Sequence, residues 1–275
     1  MTAGAKDAAA LDEIEGPDTM IHLRVCFPIL LSLVFFWQVA NISGEDMSGA
    51  APPQREYAVR CLIVTGEDYP GHKWRETTPI LKSALERHGR IKVDVAEDLN
   101  VLRTDRLAAY GVVVMHFKNY DPNVPGREGF ENLERFVRQG GGLVLVHFAC
   151  GAFQEFKEDF VKIAGRVWDP QLRGHDPHGT FTVRIVDPEH PITRGMKDFE
   201  TVDELYTCLT GDIPIHQVAA ARSKVDGKDY PMAFVLEVDK GRVFHCVLGH
   251  DPQAFGPSQV QELFEKGCLW AARKL

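Results

Sequence analysis

The chain has 275 residues and a formal net charge of −8. That balance leaves no basic footprint for nucleic acid and mainly favours solubility. Its six cysteines, Cys26, Cys61, Cys150, Cys208, Cys246 and Cys268, form no CxxC pair, which excludes a zinc ribbon and argues against a disulfide framework.

Residues 25–40 are nearly all apolar and follow His22 and Arg24. Such a run is at the short limit for a membrane span and fits the hydrophobic region of an export signal. The 19 residues before Met20 are polar, Ala-rich and acidic, unlike the basic start of a signal. Met20, which opens Met-Ile-His-Leu-Arg, is therefore read as the true start. Ser48-Gly49-Ala50 offers small residues for cleavage, and an uncleaved anchor is the alternative. The expectation is an exported protein, periplasmic or secreted, or one anchored by residues 25–40. Residues 1–55 are an extension ending in the Pro52-Pro53 linker, and 56–275 are one domain.

Within that domain, short β-branched runs alternate with helical patterns. Strands are expected at Val59–Val64, Ile91–Val95, Val112–His116 and Leu143–His147. Helices are expected near Thr78–His88, Glu128–Gln139 and Gln154–Ala164. The middle third is less regular, with strands at Thr180–Val186, Val218–Ala221 and Met232–Val238. Lys240-Gly241 turns into Arg242–Leu248, and Gln259–Arg273 closes as an amphipathic helix. Fully apolar strands of this kind belong to a parallel sheet buried on both faces. The predicted fold is three-layer α/β, a mostly parallel sheet with helices on both sides.

Four histidines sit where apolar runs stop. His116 follows Val112–Met115, His147 follows Leu143–Val146, His250 follows Val243–Gly249, and His72 lies in the loop after Cys61–Val64. In parallel α/β sheets ligands bind beyond the carboxyl ends of the strands, so this spacing gathers imidazoles at one rim, as a metal or acid–base site requires. Each residue also has a plainer reading. His147 could be a core histidine bonded to backbone, His72 a surface one, and His116 either a further ligand or a strand-end residue facing away. Asp251 beside His250 could orient the ring or cap a turn. Glu204 and Tyr206 could supply an acid and a hydroxyl, or begin a solvated helix. Trp74 could stack on a sugar ring or pack as core. His175, Asp176 and His178 form a short cluster in a loop, and His245 reads as core. Cys150, at a strand-to-helix turn, is a weaker nucleophile candidate.

Several motifs occur in order: Gly66…His72-Lys73-Trp74, Val95-Ala96-Glu97-Asp98, Gly140-Gly141-Gly142-Leu143-Val144…His147…Gly151-Ala152-Phe153, His190-Pro191-Ile192-Thr193-Arg194-Gly195, Asp203-Glu204-Leu205-Tyr206 and Gly241-Arg242-Val243-Phe244…Leu248-Gly249-His250-Asp251. Over roughly Val59 to Ala272 the chain resembles the ThuA-like family, named for trehalose utilisation. The resemblance implies a class I glutamine amidotransferase-like, flavodoxin-like fold. It places His147 where an amidotransferase carries its nucleophilic cysteine, so thiol chemistry is expected to be lost. It also implies a sugar-linked role on a glycoside or an oxidised (3-keto) glycoside supplied by a partner oxidoreductase.

The resulting expectation is an enzyme, a lyase, hydrolase or isomerase, with His147, His250, Asp251, Glu204 and Tyr206 as catalytic candidates. Trp74, His175 and His116 are the substrate-binding candidates. His72, His147 and His250 would ligate a divalent metal such as zinc. No nucleotide cofactor is called for. The rival readings are a non-catalytic carbohydrate-binding module and a cysteine hydrolase using Cys150 and His250.

Overall fold

Among the described residues, nine strands form a single sheet in the order β2-β1-β3-β4-β9-β8-β7-β5-β6. The structure is a computed structural model and describes residues 57–275. The apolar 25–40 run, Met20 and the 48–53 linker lie outside the described residues. Among the described residues no helix is long and apolar enough to cross a membrane.

One half of the sheet is parallel. β1 (Val59–Val64) pairs with β2 (Ile91–Ala96) and β3 (Val112–Met115), β3 pairs with β4 (Gly142–Val146), and β4 pairs with β9 (Gly241–Cys246). These strands alternate their side chains between two cores. Cys61, Ile63, Val114, Val146 and Phe244 face α1 (Trp74–Glu86) and α4 (Ser258–Ala271). Leu62, Val64, Met115, Leu145 and Val243 face α2 (Gly126–Arg138) and α3 (Lys157–Ala164). Both faces of β3 and β4 are covered, which is why those runs are apolar without polar alternation, whereas β2 at the sheet's end alternates through Lys92 and Asp94.

The other half is antiparallel and corrects the expectation of a mostly parallel sheet. β8 (Asp229–Val238) pairs with β9 and β7 (His216–Arg222), and β5 (Gly179–Ile185) pairs with β7 and β6 (Phe199–Asp203), all antiparallel. From β9 the chain direction reverses four times, through β8, β7 and β5, to reach β6. β6 therefore points the same way as β9 and delivers its carboxyl end to the same rim. In a flat sheet that end would lie roughly 19 Å from β9, at about 4.8 Å per strand. Instead the Gly249 N–H donates to Asp203 Oδ2 at 2.7 Å, so the sheet curls until its last strand meets the loop after β9.

Element boundaries matter at one point. α1 begins at Trp74, four residues before the predicted Thr78. Its first turn therefore reaches back over the end of β3.

Candidate metal and acid–base site

β4 stops at Val146, and His147 takes φ 46°, the left-handed region that non-glycine residues rarely adopt. This is the elbow expected from the sequence. Such strain of order 1–3 kcal/mol persists where the surroundings over-determine it, and it clusters at functional sites. The His147 ring is fully buried. Its Nδ1 lies 2.8 Å from the Val247 carbonyl, which can only accept, so Nδ1 carries the proton and Nε2 presents a lone pair.

Three other side chains meet that nitrogen. His250 Nδ1 is 3.3 Å from His147 Nε2 and 3.2 Å from Glu204 Oε2, which is 3.5 Å from His147 Nε2. The His72 ring completes the group, 5.2 Å from His147 and 5.1 Å from His250 between ring centroids. It stacks on Phe148 at 4.4 Å and faces Tyr69 at 5.4 Å. Both its nitrogens are buried without a hydrogen-bond partner among the described residues.

One donor atom from each of His72, His147, Glu204 and His250 lies within 4.8 Å of the others. Donors about 2.0–2.1 Å from one tetrahedral ion stand about 3.3–3.4 Å apart. The three separations among His147, Glu204 and His250, 3.2, 3.3 and 3.5 Å, straddle that edge. Imidazole and carboxylate suit zinc and its first-row neighbours, so the donor set fits a divalent cation.

The electrostatics follow from burial and mutual contact. Burial, with repulsion from His147 and His250, pushes the His72 imidazole down to about 2, so it is neutral and able to ligate. Burial alone would raise the Glu204 carboxyl, but the adjoining His147 and His250 imidazoles outweigh it and hold the group well below the usual range. The bond to Glu204 in turn raises His250.

Asp203 holds two of these residues in place. Its fully buried carboxylate accepts from the N–H groups of Glu204 (2.7 Å), Gly249 (2.7 Å) and His250 (3.2 Å). Gly249, at φ 114°, makes the bend that carries His250 inward, and a Cβ there would meet the Phe255 ring at 2.7 Å. The motif around Glu204 was visible in the sequence, but the anchoring role of Asp203 was not.

His175 and Tyr206 adjoin the cluster. His175 Nδ1 donates to the Asp176 carbonyl at 2.8 Å, which leaves Nε2 facing Glu204 Oε1 at 3.7 Å. The Tyr206 ring stands edge-on to His147, with centroids 4.7 Å apart. Both line a cavity of about 200 Å³ at the rim, together with His72, Glu204 and His250. Its other walls include Tyr69, Lys118, Tyr120, Phe148 and Trp168; of these aromatic and cationic residues the sequence reading singled out none.

Three candidates lie elsewhere. His116 is fully buried, and its ring nitrogens sit 2.9 Å from Thr78 Oγ1 and 3.3 Å from Thr77 Oγ1, both near the start of α1. With both nitrogens engaged it holds helix to sheet and does not reach the cavity. Trp74 opens α1, is buried, and donates through Nε1 to Asp68 at 2.8 Å, away from the cavity. Asp251 accepts from the Ala254 N–H at 2.9 Å and pairs with His178 at 3.2 Å, just outside the cavity.

Cys150 borders the cavity, but its thiol is buried and burial pushes it up to about 12. A nucleophilic thiol needs the opposite shift. His245 is core, as the sequence suggested, with Nδ1 donating to the Ala164 carbonyl at 2.9 Å.

Solved structures share this architecture. A ThuA-like protein from Parabacteroides merdae matches with a TM-score of 0.67 at 24% identity, covering 78% of this chain and 90% of its own. A ThuA-like protein from Bacteroides uniformis matches at 0.66 and 19%, over 80% of this chain and 94% of its own. A cytoplasmic protein from Salmonella typhimurium matches at 0.57 and 14%, over 78% and 98%. At these identities the likeness is one of fold. No curated protein sequence matches the chain. The sequence profile of the ThuA family, described as trehalose utilisation, matches residues 60–271, every strand and helix of the described domain included save for one residue of β1, and the chain belongs to that family.

Proposed function

We propose that this protein is an enzyme acting on a sugar or an oxidised (3-keto) glycoside at a divalent-cation centre formed by His72, His147, Glu204 and His250. One observation carries the reading: the His72 ring is clamped between Phe148 and Tyr69 with both nitrogens buried and unpartnered, beside three further donors. A buried polar group left unsatisfied costs about 1–3 kcal/mol, and a bound cation removes that cost. A purely carbohydrate-binding module has no use for such a group.

A cation there would supply Lewis acidity to a carbonyl or water oxygen. The chain's own residues do the rest. Val247 fixes the His147 tautomer through Nδ1. Asp203 holds the backbones that carry Glu204 and His250. Glu204 stays ionised, and the His175 Nε2 beside its second oxygen can take up or return a proton next to the substrate. Tyr206, itself buried, lines the cavity beside His147. This arrangement suits proton abstraction next to a carbonyl, hence elimination, hydration or isomerisation, as well as hydrolysis. A keto sugar implies an oxidoreductase that makes it.

Elemental analysis of purified protein tests the centre. One ion per chain is expected, lost in His147→Ala and in His72→Ala. A screen of glycosides and their 3-keto derivatives should then show turnover that a chelator abolishes. Turnover that survives full metal removal overturns the reading.

A further inference from the structure

The cavity contains a cation that the cluster does not use. Lys118 lies in the loop after β3, two residues beyond His116. Its stem passes over Gly151, where an added Cβ would come within 3.1 Å of Cδ, so the glycine leaves room for it. The next residue fixes the loop: Asn119 is buried, accepts from the Phe153 N–H at 2.7 Å and donates to Glu155 at 2.8 Å. The ammonium is therefore aimed into the cavity from a held backbone.

Its surroundings are aromatic. Nζ is 4.3 Å from the Trp168 ring centroid and 5.3 Å from that of Tyr120. These faces stabilise a cation but neutralise nothing. Lys118 is half-buried, burial lowers it, and no carboxylate offsets that shift among the described residues. The one carboxylate lining the cavity, Glu204, is already held by His147 and His250. A charge partly withdrawn from water gains from a partner, and here that partner is expected to come with the ligand.

We propose that Lys118 is a specificity-determining residue that receives the carboxylate of an acidic sugar whose other oxygens face the His/Glu cluster. This rests on the reading of the cavity as a sugar site. A carboxylate is favoured over a phosphate for two reasons. The cavity supplies one ammonium and no arginine, whereas phosphate sites draw on several donors at once. At about 200 Å³ the cavity is also smaller than the roughly 300–1,000 Å³ of drug-sized sites, as a single sugar unit requires.

The test uses glucuronate and glucose as probes, with Trp168 fluorescence or ligand-observed NMR as readout. Both zinc-loaded and chelator-treated full-length protein are measured. Wild type is expected to prefer glucuronate by about tenfold or more, the effect of one charge-assisted hydrogen bond, with the preference shrinking as salt rises. Lys118→Met should bind the two sugars alike, while Lys118→Arg keeps part of the preference. Zinc content and thermal unfolding confirm that both variants are folded.

An undiminished preference in Lys118→Met overturns the proposal, because the anion then goes to the cluster's cation. Binding of neither sugar to the wild type overturns it, as does a stronger preference for glucose 6-phosphate. A protein that takes up no metal but keeps the Lys118-dependent preference refutes the cation centre and leaves this proposal standing.

Discussion

Asp203→Asn separates the folding of this domain from the assembly of its site. The carboxylate accepts three backbone N–H groups, two of them on residues of the His/Glu cluster. The amide keeps one acceptor oxygen, so Glu204 and His250 can retain their partner while the Gly249 N–H meets an NH2 group. Leaving one buried donor unpaired costs about 1–3 kcal/mol. Burial raises the Asp203 carboxyl, so the neutral amide recovers part of that cost. The net expectation is a loss of about 1 kcal/mol, or roughly 2–4 °C in Tm for a domain of this size. Zinc affinity should fall much further in proportion, by about 10–100-fold, because the altered group orients the ligands. Asp203→Ala strands three donors and should cost about 3 kcal/mol or more. Competition against a chromophoric chelator, with circular dichroism melting of the same samples, reads both quantities. An Asp203→Asn protein with wild-type zinc affinity refutes the reasoning.

His72→Phe keeps the stack on Phe148 and removes two unpartnered nitrogens. The metal-free protein should melt at the same temperature or higher, by up to about 1–3 kcal/mol, yet hold zinc poorly. His116→Ala should do the reverse: it orphans the Thr77 and Thr78 hydroxyls and opens a core hole, lowering Tm while zinc stoichiometry stays at wild type. Cys150, buried and raised to about 12, should react with iodoacetamide at pH 8 more slowly than the partly exposed Cys208, as mass spectrometry of alkylated peptides will show. The Tyr230 hydroxyl, the first of several donors, holds Asp226 below its ordinary value of 3.8. Its contribution to stability is therefore complete above about pH 4 and lost as pH falls below that. Asp226→Asn should be less stable at pH 7 and show a smaller further loss between pH 4 and 2.

Much of the parallel half was legible because strands buried on both faces leave an unmistakable apolar run. β1 matches its predicted span, and His72, His147 and His250 meet as strand-end logic required. The antiparallel half was read as strands, but pairing direction leaves no trace in a single strand's pattern. β6 escaped because Phe-Glu-Thr-Val-Asp is a short edge segment. Glu204 was accordingly assigned to a loop or helix start when it caps a strand. His116 shows how one boundary changes a residue's role. Side-chain alternation in β3 turns it toward the α1 face, where a helix starting at Thr78 would include only one of its two hydroxyl partners. The actual helix, starting at Trp74, covers it with both. Lys118, Tyr120 and Trp168 sit in irregular segments, where no periodicity marks which side chains face inward.

The curl of the sheet gives its last strand an unusual dependence. Among the described residues β6 is an edge, paired only with β5, and an edge strand leaves one row of its backbone groups unpaired. Its far end is tied down by Asp203, and the next residue, Glu204, meets His250 in the cluster. A cation there would act as a clasp, joining the first and last thirds of the chain at residues 72 and 204. Occupancy would then be felt as local rigidity at some distance from any chemistry. Amide exchange in 199–206 should slow on metal loading while that in β1 and β3 stays the same, making the edge of the sheet a gauge of the state of the site.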